Sequence, residues 1–245
     1  MKVLGIIPAR YASTRFPGKP LIDIQGKSMI RRVYEQAAKA SGIDKVLVAT
    51  DDDRIAAEVK NFGGEFIMTG STHQSGTDRC AEVTGQVPGF DVVVNIQGDE
   101  PFIDPAQIDL LISCFTDPKV QLATLIKEIH TSEELFNHNL PKVILNGKKE
   151  AIYFSRQTIP YIRNAEKENW LKAHQFYKHI GIYGYTVPVL LEITKLPPSS
   201  LEIAESLEQL RWVENGYAIQ TRVTTIETIA IDTPEDLNKI NSSAT

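Results

Sequence analysis

Apolar residues gather into short, uninterrupted runs in the first half of the chain. Residues 3–7 (VLGII), 45–50 (KVLVAT) and 91–96 (DVVVNI) are apolar through most of their length and rich in β-branched side chains. Runs of this kind, without polar alternation, predict strands buried on both faces, as in a parallel sheet. Between them the pattern turns helical. A helix is predicted over 28–40, stopped near Gly42, and another over 55–61, capped by Asp51-Asp52-Asp53 and broken by Gly63-Gly64. A short strand at 65–68 and a helix over 105–114 complete this half. Alternating strands and helices predict an α/β fold, a mostly parallel central sheet with helices on both faces and right-handed crossovers.

The second half changes character. Residues 120–126, 142–145, 151–154 and 179–186 read as strands, and 163–175 is a polar stretch that reads as a loop or a short helix. Residues 201–214 are predicted to form one amphipathic helix, with Ile203, Leu207 and Leu210 on its apolar face, ending near Gly216. Late strands follow at 220–226 and 229–231, and Thr233 caps a last helix that opens on Pro234. The expected organisation is a single unit: a nucleotide-binding part over 1–118, a smaller inserted β-rich part over 119–226, and a returning segment over 227–245. No internal repeat or low-complexity tract interrupts it.

In open α/β sheets ligands bind at the carboxyl ends of the strands. Three predicted strands end there in loops dense with functional groups, at 8–19, 50–53 and 97–100, so one sheet edge should collect all three. The richest is PARYASTRFPGKP, in which Arg10, Arg15 and Lys19 crowd three cations into one turn. Ser13 and Thr14 add hydroxyl and amide donors, and Gly18 allows close backbone approach. Spread positive charge with backbone N–H groups suits a triphosphate; a solvated basic loop is the plainer alternative. Gly26-Lys27-Ser28 is not a P-loop, because Leu21 stands where that motif needs a glycine. Gly26-Lys27 reads instead as a turn into the helix.

Asp99 directly follows a buried strand within QGDEP, a suitable place for a carboxylate that holds Mg²⁺ beside phosphates. Asp232, after Ile229-Ala230-Ile231, is the second candidate, with helix capping before Pro234 as its plainer role. In HQSGTDR, Ser75 or Thr77 could cap the next helix, whose amino end could equally meet a base or a phosphate.

The charge of −5 on 245 residues disfavours nucleic acid as a partner, since such proteins are usually basic. The opening apolar run is cut by Pro8 and Arg10, too early for a signal peptide or a membrane span, so the cytoplasm is expected. Cys80 and Cys114 are read as reduced, buried thiols.

Taken together, IIPARYASTRFPGKPL, HQSGTDR, NIQGDEP, YFSRQTIP, HIGIYGY, LEQLR and IDTPEDL resemble the 3-deoxy-manno-octulosonate cytidylyltransferases across nearly the whole chain. The resemblance implies a Rossmann-like nucleotidyltransferase fold, a homodimer, and transfer of CMP from CTP to an acidic 3-deoxy sugar for lipopolysaccharide synthesis. The acceptor it implies is 3-deoxy-manno-octulosonate, at its anomeric hydroxyl; the same reaction on the 8-amino analogue or another acidic sugar is the alternative. By resemblance, Arg10, Ser13, Arg15 and Lys19 hold the CTP phosphates, with Arg15 and Lys19 also catalytic. Pro8, Ala9, Gln74, Ser75 and Arg79 hold the cytidine, Asp99 and Asp232 ligate catalytic Mg²⁺, and Gln97, Arg156, His179, Tyr183, Glu208 and Gln209 line the sugar pocket. A guanidinium at Arg156 suits a sugar carboxylate, and hydroxyls need Gln, Glu, Tyr and His partners. Ordinary sheet or helix roles for His179, Tyr183, Glu208 and Gln209 remain open at this level. A regulatory protein without activity is disfavoured, because Arg10, Lys19, Asp99 and Asp232 are all present.

Overall fold

β1 (Val3–Ala9) shows why the sheet has two covered faces. Its side chains divide with a period of two: Val3, Ile7 and Ala9 enter one core, Leu4 and Ile6 the other. The computed structural model describes residues 1–12, 16–227, 230–231, 233 and 236–237. Following β1, a small hairpin of β2 (Asp23–Ile24) and β3 (Lys27–Ser28) leads into α1 (Met29–Ala37). Then come β4 (Lys45–Thr50), α2 (Asp53–Asn61), β5 (Phe66–Met68), α3 (Gly76–Gln86), β6 (Val92–Asn95) and α4 (Pro105–Ile112). The second half supplies β7 (Leu122–Glu128), α5 (Ser132–Phe136), β8 (Lys142–Leu145), β9 (Ala151–Ser155), α6 (Trp170–Ala173) and β10 (Tyr177–Thr186). It closes with α7 (Val187–Ile193), α8 (Ser200–Glu205), α9 (Gln209–Glu214) and β11 (Gln220–Thr224).

Among the described residues one sheet runs β11-β7-β10-β6-β1-β4-β5, with β8 and β9 branching from β10. The pairs β6–β1, β1–β4, β4–β5 and β7–β11 are parallel, whereas β10 runs antiparallel to β6, β7 and β8. The expected α/β architecture is therefore present, and strands of the second half extend the same sheet. Helices α1, α2 and α4 cover one face; α3, α7 and α9 cover the other.

Local sequence sets the boundaries. Ser28 caps α1, Asp52 caps α2, Asp104 caps α4 ahead of Pro105, and Ser75 with Asp78 forms a reciprocal capping box on α3. Gly26 does form the expected turn, at φ +80° in the β2–β3 hairpin. Both cysteines are buried and unpaired by disulfide, and no helix among the described residues is long and apolar enough to cross a membrane.

Two expectations change. The helix predicted over 201–214 is two helices, because Ser206 takes the left-handed conformation (φ +52°) and reverses the chain between them. Leu207 and Leu210 are buried as predicted, but Ile203 is 69% exposed. The polar stretch 163–175 contains the short helix α6, pinned by buried Trp170 stacking on Phe176. The predicted strand at 229–231 and the helix after Thr233 lie largely outside the described residues.

Candidate active site

Parallel pairing of β4, β1 and β6 aligns their carboxyl ends: Ala9 lies opposite Thr50, and Ile6 opposite Asn95. The three loops identified in the sequence thus share one edge, and glycines let them close on each other. A Cβ on Gly98 would stand 2.9 Å from the Pro8 carbonyl oxygen, and one on Gly76 would meet the Pro8 ring at 3.3 Å. The cationic turn folds back on itself through Gly18 N–H donating to the Tyr11 carbonyl (3.0 Å), with Gly18 at φ +72°. This places Lys19 so that its Nζ donates to Asp99 Oδ2 at 2.9 Å, in a partly buried ion pair. Arg10 is exposed and donates weakly to the His73 carbonyl (3.4 Å). Ser13, Arg15 and Asp232 lie outside the described residues. Ile231, next to Asp232, donates its N–H to the Asp99 carbonyl at 2.9 Å, so the returning chain touches the Asp99 loop.

On the proposed cytidine side, Pro8 and buried Ala9 end β1. Gln74 is exposed and its amide donates to the Thr72 carbonyl (3.1 Å). Ser75 caps α3. Arg79 is buried, bonded to the Thr69 hydroxyl, and its Nη2 lies 3.4 Å from Asp51 Oδ1.

Three of the sugar-side candidates, Gln97, His179 and Tyr183, lie together at a bulge in β10. Gln97 Nε2 donates to the Gly181 carbonyl (2.9 Å), where the β10–β7 register shifts between Ile180 and Tyr183. Thr124 Oγ1 lies 2.8 Å from the Ile182 carbonyl and 3.2 Å from that of Ile180, so it donates there and accepts from His179 Nε2 at 3.0 Å. That network assigns a proton to Nε2. Burial pushes the His179 imidazole down to about 3. His179 packs against Phe154 and Tyr183, and Tyr183 against Trp212 of α9. The buried Tyr183 hydroxyl has no hydrogen-bond partner among the described residues, and burial raises its pKa well above the ordinary phenol value. Gln209 is buried at the start of α9. Glu208 accepts from the Thr77 hydroxyl at 2.9 Å; burial raises its pKa, and bonds from Ser75 and Thr77 oppose the rise.

Arg156 follows β9 and is held by backbone. Its Nε donates to the Glu205 carbonyl (2.7 Å), Nη1 to that of His138 (3.2 Å) and Nη2 to that of Ser206 (3.2 Å). Each terminal nitrogen keeps one further hydrogen, enough for a carboxylate to approach both. Its bonds reach none of the other sugar-side candidates.

Asp51, Thr77, Asn95, Glu100 and Tyr185 also border these groups, although the sequence gives none of them a ligand-binding role. Buried Asn95 and Glu100 each carry a side-chain oxygen without a partner among the described residues. Glu100, raised to about 7 by burial and then by Asp99, stands beside the metal candidate. Available signals were the acidic strand end at 51, the acid pair at 99–100, and the Tyr-Gly-Tyr alternation.

A mostly parallel sheet that sets a cationic turn against an aspartate at its carboxyl edge has the arrangement a nucleotidyltransferase needs. Residues 4–229 match a family model described as cytidylyltransferase. The chain is 60% identical to a 3-deoxy-manno-octulosonate cytidylyltransferase of Bacteroides thetaiotaomicron, over 97% of this chain and 96% of that one. It is 58% identical to the protein of the same name from Cytophaga hutchinsonii, over 100% and 98%. Among solved structures, a CMP:2-keto-3-deoxy-manno-octonic acid synthetase complexed with CTP superposes with a TM-score of 0.92 at 43% identity, covering 100% of this chain and 98% of that one. The chain belongs to the 3-deoxy-manno-octulosonate cytidylyltransferase family.

Proposed function

We infer that the protein transfers CMP from CTP to the anomeric hydroxyl of 3-deoxy-manno-octulosonate (Kdo), releasing pyrophosphate. The observation that carries the reading is Lys19 joined to Asp99 at the sheet's carboxyl edge, in a chain 60% identical to a relative named for this activity. The relatives' names favour Kdo over its 8-amino analogue.

In this reading the sugar hydroxyl forms a new bond to the α-phosphorus and loses its proton to solvent, while the bond from the α-phosphorus to the oxygen bridging it to the β-phosphate breaks. Catalysis is chiefly positioning and charge neutralisation. Lys19, with Arg10 and Arg15, holds the phosphates and stabilises charge on the departing pyrophosphate. Gln97, His179, Tyr183, Glu208 and Gln209 orient the sugar, and Arg156 takes its carboxylate through its two remaining terminal hydrogens.

The residues suit Mg²⁺. Asp99 Oδ2 accepts from Lys19, Oδ1 has no hydrogen bond among the described residues, and the neighbouring Glu100 has a buried oxygen without a partner. Mg²⁺ usually takes one or two carboxylates, completed by phosphate oxygens and water, so Asp99 and Asp232 would hold it. There it would supply neutralisation of the phosphate charge.

Pairing of two copies belongs to the same reading. It is supported by β9, which has one ladder partner, β8, and by half-exposed Ile152 and exposed Tyr161. We place the reaction in the cytoplasm, where CTP is available.

The test is pyrophosphate release. CTP, Mg²⁺ and Kdo together are expected to give it, and omission or chelation of the metal to stop it. UTP or a nine-carbon acidic sugar should give little. Silence with CTP, Mg²⁺ and Kdo would refute the assignment.

A further inference from the structure

Thr77 has no role in the chemistry above, yet it makes a bond that spans 131 residues. It sits in the first turn of α3, 2% exposed, just after the loop that carries Gln74 and Ser75. Its Oγ1 donates to Glu208 Oε2 at 2.9 Å. Glu208 immediately precedes α9.

The bond is not needed to dock α9. Leu210 and Trp212 are fully buried, and Trp212 lies edge-on to Tyr183 and Tyr185, with centroids 5.1 and 5.7 Å away. Those contacts fix the helix axis. The hydroxyl fixes the terminal carboxylate of a side chain that otherwise has three rotatable bonds. A carboxylate has about four acceptor positions. Thr77 takes one, leaving about three for other donors.

We propose that Thr77 is a positioning residue: it fixes the Glu208 carboxylate in the orientation that accepts sugar hydroxyls, and ties it to the helix that starts at the nucleotide loop. The proposal rests on the reading of Glu208 as a sugar ligand. A residue that merely supported the fold would lower stability and weaken both substrates alike. A positioning residue acts through Glu208 and on one substrate.

The experiment compares Thr77→Val, Thr77→Ser, Glu208→Gln and the double variant Thr77→Val/Glu208→Gln in steady-state pyrophosphate release, varying Kdo and CTP separately, with Tm measured on each. Thr77→Val is expected to raise KM for Kdo about tenfold, with KM for CTP within about twofold and Tm within about 3 °C. Thr77→Ser keeps the hydroxyl and should return KM for Kdo to within about twofold of the parent. In the Glu208→Gln background Thr77→Val should add less than about twofold, because its target is already altered. If Thr77→Val does not fold, Thr77→Ala takes its place in the same comparison.

Parallel rises in both KM values with a fall in Tm would overturn the proposal. So would an unchanged KM for Kdo in Thr77→Val when Glu208→Gln raises it, which would leave the sugar-ligand reading standing. An unchanged KM in Glu208→Gln would overturn both. Absence of turnover in the parent protein would overturn the functional reading itself.

Discussion

Replacing His179 with glutamine should flatten the acid side of the stability profile. The imidazole is enclosed by Phe154 and Tyr183, bonded through Nε2 to Thr124, and held down to about 3 by burial. In the unfolded chain a histidine titrates near ~6.5. Because the folded value is the lower one, the unfolded state takes up a proton first as pH falls. Stability from this group is therefore complete above the unfolded value and is lost progressively between about 6.5 and about 3. At about pH 5 the unfolded imidazole is almost fully protonated and the folded one is neutral, which costs about 2 kcal/mol relative to about pH 8. Glutamine can keep a hydrogen bond to Thr124 and cannot titrate. Urea unfolding of the parent and of His179→Gln at both pH values gives the double difference directly. Buried carboxyls such as Glu208 shift the other way, but they are common to both proteins and cancel. The parent should lose about 2 kcal/mol more than the variant on acidification, seen as a Tm difference of about 4–8 °C. Equal losses would mean that the imidazole is protonated in the folded protein, and the neutral state that burial imposes on it would be wrong.

Lys19→Ala and Asp99→Asn should each lower turnover at least about a hundredfold, the ~2.7–4 kcal/mol of one lost charge-stabilising contact, with Tm and circular dichroism little changed; near-normal turnover in either removes that residue from the mechanism. Gly98→Ala forces a Cβ to 2.9 Å from the Pro8 carbonyl oxygen, where the obstacle is backbone, and should cost about 1–3 kcal/mol of stability with a fall in kcat as the Asp99 loop shifts. Gly85→Ala is the counterpart: it is exposed near the end of α3 with nothing within 4 Å of the new Cβ, and thermal melts should show a gain of about 0.5–1 kcal/mol. Ile152→Glu should shift a dimer towards monomer in analytical ultracentrifugation; a dimer of undiminished stability would rule out β9 as the pairing edge.

The fold was legible where one physical rule governs a whole segment. Runs such as VLGII and DVVVNI can satisfy so many adjacent apolar side chains only between two covered faces, and β1, β4 and β6 are buried accordingly. The break at Ser206 was not legible in the same way, because no glycine or proline marks it. A visible signal, the Ser199–Glu202 capping box, predicts where α8 starts but not where it stops. Trp170 was hidden for a related reason. Apart from Leu171, its immediate neighbours in sequence are mostly polar, and its buried apolar partners, Ile129, Leu135 and Phe176, come from elsewhere.

The site divides along the same line. Parallel strands necessarily deliver their carboxyl ends to one edge, so a reader who finds three such strands can place Lys19 and Asp99 together before any coordinates, and they meet at 2.9 Å. Side-chain orientation follows no comparable rule. Whether Arg156 is open depends on the carbonyls of His138, Glu205 and Ser206, and the pose of Glu208 depends on a hydroxyl 131 positions away. Composition near Arg156 or Glu208 carries no trace of those partners, since any residue offers a carbonyl and threonine is common. Topology brings Lys19 and Asp99 together, whereas individual long-range hydrogen bonds set Arg156 and Glu208. Substitutions at the cationic turn should therefore act on the chemical step, and substitutions that break single distant bonds should act on how tightly the sugar is held.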